Sequence, residues 1–129
     1  MKQEVQVVAA VIRAEGKVFA TQRGYGPHKD GWEFPGGNVE PGETPEQALV
    51  REIREELDTV ITVGEQIDRV AWEEGDRRYT LLCYLCQVQS GSLTLREHES
   101  ARWLGKDEAG QVDWLPADRQ VIEKGRVWA

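Results

Sequence analysis

The tightest constraint on how this chain can fold is a helix specified in full at residues 44–58, TPEQALVREIREELD. Thr44 suits an N-cap, Pro45 suits the first helical position, and Gln47 completes a Thr-x-x-Gln capping box. Ala48, Leu49, Ile53 and Leu57 recur at helical spacing and give a stripe for the core. Glu52, Glu55 and Glu56 stand three and four residues apart and so share a face. At about 100° per residue that face lies beside the apolar stripe, at the edge of what is buried. Like charges at this spacing repel by a few tenths of a kcal/mol per pair. A hard divalent cation would relieve the crowding, because Mg²⁺ takes carboxylate oxygens together with the phosphates of a substrate. Taken alone, REIREEL also reads as a solvated face of alternating charge.

The longer pattern decides between these. Gly37 is followed after five residues by Glu43, and after seven more by Arg51-Glu52-Ile53-Arg54-Glu55-Glu56. At this point the chain resembles the Nudix hydrolase family, whose signature is Gly-x5-Glu-x7-Arg-Glu-U-x-Glu-Glu-x-Gly-U with U apolar. Every fixed position through Glu56 matches. Asp58 stands where glycine is usual, and Thr59 where an aliphatic residue is usual. The glycine would end the helix in the left-handed conformation. Asp reaches that region more readily than most residues, so the departure should cost some stability and leave the chemistry intact.

At 129 residues the chain is expected to form a single domain, 1–129, with a core of its own. A net charge of −7 argues against binding a nucleic acid polymer, which needs a basic face. A nucleotide remains open, since a bound metal reverses the local sign. No apolar run approaches membrane length, and MKQEVQVV lacks a signal-peptide pattern. These point to a cytoplasmic protein. Cys83 and Cys86 show C-x-x-C spacing within YTLLCYLCQV, which reads as a strand. Residues three apart on a strand face opposite sides, so the two read as separate core thiols.

Residues 4–13 are apolar on both parities and read as a strand buried on both faces. Residues 15–17 make a turn into a second strand, 18–23, and residues 24–31 form a loop. Paired Gly36 and Gly37 allow backbone to approach a ligand closely. Strands at 60–63 and 67–72 are expected to be broken at Gly64-Glu65, and a long strand runs over 77–89. A short strand follows residues 95–104, and a closing helix covers 117–124. Two helices with many strands suggest an α/β class with a mixed, mostly antiparallel sheet. The resemblance makes that the Nudix fold, an α/β/α sandwich. It spans essentially the whole chain and is strongest at 32–57 and 113–118.

Within the family the chain is most similar to the MutT-like branch, and there to CTP/dCTP pyrophosphohydrolases and 8-oxo-dGTP diphosphatases. The resemblance implies Mg²⁺, with Mn²⁺ as a possible substitute, held by Glu52, Glu55, Glu56 and the Gly36 carbonyl. A further carboxylate in a mobile loop would join them, at Glu97 by best match and Glu99 otherwise. Glu52 or Glu97 would serve as general base, Arg51 would hold the glutamates together, and Glu43 would support the loop. Arg23, His28, Phe34, Arg77 and Asp118 would face the substrate. Asn38 replaces the usual lysine and supplies no charge to a phosphate.

Asp118 carries two readings. It sits at a helix start, where an acid suits the dipole and can cap. In relatives acting on cytosine nucleotides the same Pro-Ala-Asp occurs, and a carboxylate suits the exocyclic amine of cytosine. An amide, which donates and accepts, suits oxidised guanine. The implied activity is hydrolysis of a nucleoside triphosphate to monophosphate and pyrophosphate, with CTP, dCTP or a 5-modified dCTP first and 8-oxo-dGTP as the alternative. The latter would make the role nucleotide-pool sanitation. Hydrolysis of ADP-ribose, dinucleotides or capped RNA is less favoured by the compact length. A non-catalytic nucleotide-binding module, as monomer or homodimer, is the reading from another class. Such modules generally lose the box glutamates that this chain keeps.

Overall fold

The computed structural model describes residues 2–96 and 98–129, and Glu99 by its backbone. Strand β1 (Gln3–Ala14) turns at Glu15-Gly16, both at positive φ, into β2 (Lys17–Arg23). The short strands β3 (Trp32–Glu33) and β4 (Gly36–Asn38) lead to helix α1 (Pro45–Leu57). Two long strands, β5 (Val60–Glu74) and β6 (Arg77–Ser90), are followed by β7 (His98–Gly105). A 3-10 turn (Lys106–Gln111), helix α2 (Pro116–Lys124) and a second 3-10 turn (Arg126–Trp128) complete the fold.

The strands run in the order β3-β2-β1-β6-β5, with β4 added to β1 and β7 to β2. Strands β1 and β6 are parallel, and the other strand pairings are antiparallel, as expected for a mixed, mostly antiparallel sheet. The alternation along β1 builds two cores. Val8, Ala10 and Ile12 pack with Ala48, Leu49, Ile53 and Leu57 of α1. Ala9 and Val11 pack with Val18, Trp32, Phe34, Trp114 and Val121, the last from α2. Each helix therefore covers one face of β1, which is the layered α/β/α arrangement. Cys83 belongs to one core and Cys86 to the other. Burial raises both thiols, Cys86 to about 12, as suits inert core cysteines.

Two strand boundaries differ from the sequence reading: β7 occupies His98–Gly105 itself and does not follow residue 104, and the break expected in β5 is absent. Residues 60–74 form one strand, not two broken at Gly64-Glu65. Val63 pairs with Cys86 and Gln66 with Tyr84, so the extra residues are bulged within a continuous ladder. Gly64 lies so close to the Leu85 carbonyl that a side chain there would press on it.

Helix α1 starts and ends as its sequence dictates. Thr44 Oγ1 accepts from Gln47 N–H at 3.1 Å, and Gln47 Oε1 accepts from Thr44 N–H at 3.0 Å. Asp58 ends the helix at φ 51°, in the left-handed region, with its N–H on the Arg54 carbonyl. The aspartate thus does the glycine's work.

Candidate active site

The acidic end of the site is organised by Arg51. Its Nε and Nη2 donate to the two oxygens of Glu43 at 2.7 and 3.0 Å. Its Nη1 donates to Glu52 at 2.9 Å and reaches Glu55 at 3.4 Å, and Nη2 also meets the Asn38 carbonyl at 3.1 Å. One guanidinium therefore ties α1 to β4 and to the loop between them. The Arg51 guanidinium holds the Glu43 carboxyl below its ordinary range, and these acids reinforce the positive charge of Arg51. Glu43 also accepts from the Glu40 N–H at 2.9 Å, which ties it to the loop before the helix.

Gly37 is where the helix meets the loop. A β-carbon there would overlap the Glu52 carboxylate, and one at Gly36 would overlap the Val8 carbonyl. Both glycines are needed because backbone and carboxylate pack directly against each other. Glu52 is mostly buried in this contact, whereas Glu55 is largely exposed on the Arg51 flank.

Gly36, Gly37 and Glu56 line a cleft of about 690 Å³. The five residues expected to face a substrate, Arg23, His28, Phe34, Arg77 and Asp118, line the same cleft. Glu97 lies outside the described residues, and nothing of the Glu99 side chain is described.

The far end of the cleft is assembled from distant segments. Trp32 N–H donates to the Asp113 carbonyl at 2.9 Å, and Leu115 N–H to the Trp32 carbonyl at 2.8 Å. These bonds pin the start of α2 to β3. Asp118 then accepts from the Phe34 N–H at 3.0 Å, across 84 residues. Asp118 does not take the N-cap position, which belongs to Leu115; it lies in the first turn of the helix, where an acid suits the dipole, and is buried at 6% exposure. Burial pushes its carboxyl up to about 7, opposed by the Phe34 N–H and aided by the nearby Glu33.

Arg23 ends β2 beside a bulge against β7. Its Nε and Nη2 grip Glu33 at 3.0 and 2.7 Å, and its Nη1 donates to the Pro27 carbonyl at 2.9 Å. The sequence reading did not single out Glu33. It also missed Trp72 and Tyr79, which face each other across β5 and β6, stack at 5.2 Å and line the cleft. The Trp72 and Tyr79 pairing was recoverable from hairpin register about the Gly75-Asp76 turn. His98 and Gln120 line the cleft as well.

Among the described residues no three acidic, histidine or cysteine side chains converge into a ready cage for a metal. The donors present fit Mg²⁺ in its usual manner: one or two carboxylates plus substrate phosphates, with water completing the shell. Glu52 and Glu56 share one helix face; Glu52 lies against Gly37, and Gly36 lines the cleft together with Glu56, which leaves that kind of oxygen set within one region.

Comparison with known proteins agrees with this geometry. The NUDIX domain model matches residues 2–125. The CTP pyrophosphohydrolase of Escherichia coli (strain K12) is 40% identical over 120 residues, covering 92% of this chain and 89% of the relative. The 8-oxo-dGTP diphosphatase of the same organism is 33% identical over 123 residues, covering 94% and 95%. The crystal structure of a MutT NUDIX hydrolase from Burkholderia pseudomallei superposes with a TM-score of 0.86 at 26% identity, covering 96% and 99%. With the glutamate helix clamped by Arg51 and the family model spanning nearly its full length, the chain belongs to the NUDIX family.

Proposed function

We propose that this protein hydrolyses nucleoside triphosphates to the monophosphate and pyrophosphate, and prefers a cytosine base. The observation that carries the reading is the cleft itself, which holds Glu56 at one end and the buried Asp118 at the other. A nucleotide has the same two ends, anionic phosphates and a hydrogen-bonding base.

The phosphate end is assigned to Glu52, Glu56 and the Gly36 carbonyl, which would hold Mg²⁺. Glu55, more exposed, is the outer candidate of that set. When bound, the cation supplies charge neutralisation at the phosphate oxygens, without which a triphosphate repels an incoming nucleophile. Glu52 is the described candidate for general base, with Glu97 the other. Arg51 fixes Glu52 against Gly37, so its carboxylate meets a water with its orientation already set. Glu43 acts one step back, by fixing Arg51.

At the base end, Trp72 and Tyr79 form an apolar wall and Asp118 reads the base edge. Its Oδ1 is held by the Phe34 N–H, which fixes the direction of the carboxyl. An ionised Asp118 accepts from the exocyclic amine of cytosine. Arg77 and His28 lie at the cleft wall, where a phosphate or sugar would pass. A second reading, oxidised guanine nucleotides, is favoured by the elevated pKa of Asp118. Near pH 7 a substantial share is carboxylic acid, which donates and accepts as an amide does.

No helix among the described residues is long and apolar enough to cross a membrane, and we place the protein in the cytoplasm with its nucleotide substrates. The test is pyrophosphate release with Mg²⁺ across the ordinary NTPs and dNTPs, 5-methyl- and 5-hydroxy-dCTP, 8-oxo-dGTP and ADP-ribose. A cytosine preference supports the proposal. A preference for 8-oxo-dGTP selects the second reading, and nucleotide binding without turnover would overturn the enzymatic one.

A further inference from the structure

Arg23 and Glu33 form the one two-pronged ion pair that the described residues place in the cleft wall. Nε and Nη2 of Arg23 both go to Glu33, and Nη1 goes to the Pro27 carbonyl. A guanidinium has five N–H donors. Three are committed here, and what remains is one N–H on each terminal nitrogen. That remaining pair is the fork a phosphate takes end-on. Arg23 lines the cleft together with Asp118 and Glu56, and both acids act on it electrostatically. In a bound nucleotide that position belongs to the phosphate nearest the sugar.

We propose that Glu33 is a positioning residue that holds Arg23 with its free fork toward that phosphate. The inference rests on the nucleotide reading above. The competing effect is electrostatic: Glu33 carries negative charge into a site for an anion, and its removal should then favour the phosphate. The surroundings of Arg23 decide against this. Without Glu33 the attraction of Glu56 and Asp118 for the guanidinium is no longer opposed by a two-pronged hold. It would fold onto one of them, and its donors would be lost to the substrate. Glu33 also precedes Phe34, whose N–H holds Asp118, so the dipeptide at the end of β3 fixes both the arginine and the carboxyl proposed to read the base.

The experiment is a double-mutant cycle with CTP, or with 8-oxo-dGTP if the panel selects it. KM and kcat are measured for the natural protein, Glu33→Gln, Arg23→Ala and the double variant. Glu33→Gln should raise KM about tenfold, with kcat within about twofold, and should add nothing in the Arg23→Ala background. Arg23→Lys keeps the charge but cannot hold a two-pronged contact. It should raise KM similarly, and it keeps the test open should Glu33→Gln fold poorly. A fall in KM on Glu33→Gln would show that charge repulsion dominates and overturn the proposal. An equal rise in the Arg23→Ala background would overturn it too, by reducing Glu33 to a structural role. If Arg23→Ala alone raises KM and Glu33→Gln does not, the nucleotide reading stands and Glu33 falls. If the natural protein turns over no nucleotide, both fall.

Discussion

The two ends of the cleft are built in opposite ways. The acidic end comes from one stretch, residues 36–56, in which a capped helix folds back on two glycines through Arg51. The base-facing end draws on Arg23 and Glu33 around one hairpin, Trp72 and Tyr79 around another, and Asp118 on α2. Its geometry depends on sheet register and on how α2 is docked. Asp68, whose side chain is fully buried, accepts from Lys124 Nζ at 3.1 Å and so anchors the far end of that helix to β5. On the proposed assignment the chemistry is fixed locally, while the choice of base rests on long-range packing and is the more easily altered.

The sharpest way to test this division is to remove one carboxylate at each end. Glu56→Gln keeps the volume and the helix but removes a charged oxygen from the cleft. Turnover should fall by about a thousandfold for every nucleotide alike, with the melting temperature nearly unchanged. A folded variant with near-normal turnover would remove Glu56 from the mechanism. Asp118→Asn should behave differently, shifting the ratio of kcat/KM between cytosine and 8-oxoguanine nucleotides by roughly tenfold while the best substrate still turns over. An unchanged ranking would end the base-reading role and leave Asp118 as a buried brace for Phe34.

The same contrast governs what could be read from the sequence. The helix, its Thr44–Gln47 box, the left-handed Asp58 and the opposed cysteines follow from spacing and local conformational preference, and the structure has all of them. The Arg23–Glu33 pair follows from no periodicity. It needs the 24–31 loop to close so that Thr21 sits opposite Glu33, and loop closure is not encoded in either residue. Asp118 was open to a capping role because an acid in the first turn of a helix satisfies the dipole unaided. Its contact with Phe34, 84 residues away, follows from no local pattern. At Gly64-Glu65 a glycine beside a polar residue resembles a break, but a two-stranded ladder can absorb extra residues as a bulge.

A smaller effect separates the two ends by the sign of their pH dependence. Glu43 is held below its ordinary value of 4.5 by Arg51. Its contribution to stability is present above that value and is lost as the pH falls through the lowered one. Asp118 is raised from 3.8 to about 7 by burial. The folded state therefore binds its proton more tightly than the unfolded chain does. The stability so gained is full below about 4 and is lost as the pH rises through 7. Urea unfolding from pH 3 to 9 should show Glu43→Gln flattening the acid limb. Asp118→Asn should flatten the decline between 4 and 7 and leave the acid limb alone. An Asp118→Asn curve parallel to that of the natural protein would show that the carboxyl titrates alike in the folded and unfolded chain, and that burial does not raise it.

The smallest effect belongs to the family position that this chain changes. Asp58 occupies the left-handed conformation at φ 51°, where glycine has no steric penalty. Left-handed geometry costs an L-residue about 1–2 kcal/mol, and less for aspartate, whose short side chain suits local hydrogen bonding. Against this, Asp58 pairs with Arg96 at 3.2 Å, but both side chains are more than half exposed, and such a pair contributes about 0–1 kcal/mol. The two nearly cancel, with the backbone term slightly larger. Asp58→Gly should therefore raise the melting temperature by only about 1–4 °C and leave kcat and KM unchanged. A loss of stability would mean that the Arg96 contact does more than its exposure suggests. Arg96 N–H also bonds the Glu56 carbonyl at 3.1 Å, so Arg96 would then be tied to the helix end by both its backbone and its side chain. A change in kcat without a change in stability would extend the acidic end of the site beyond the helix to its cap.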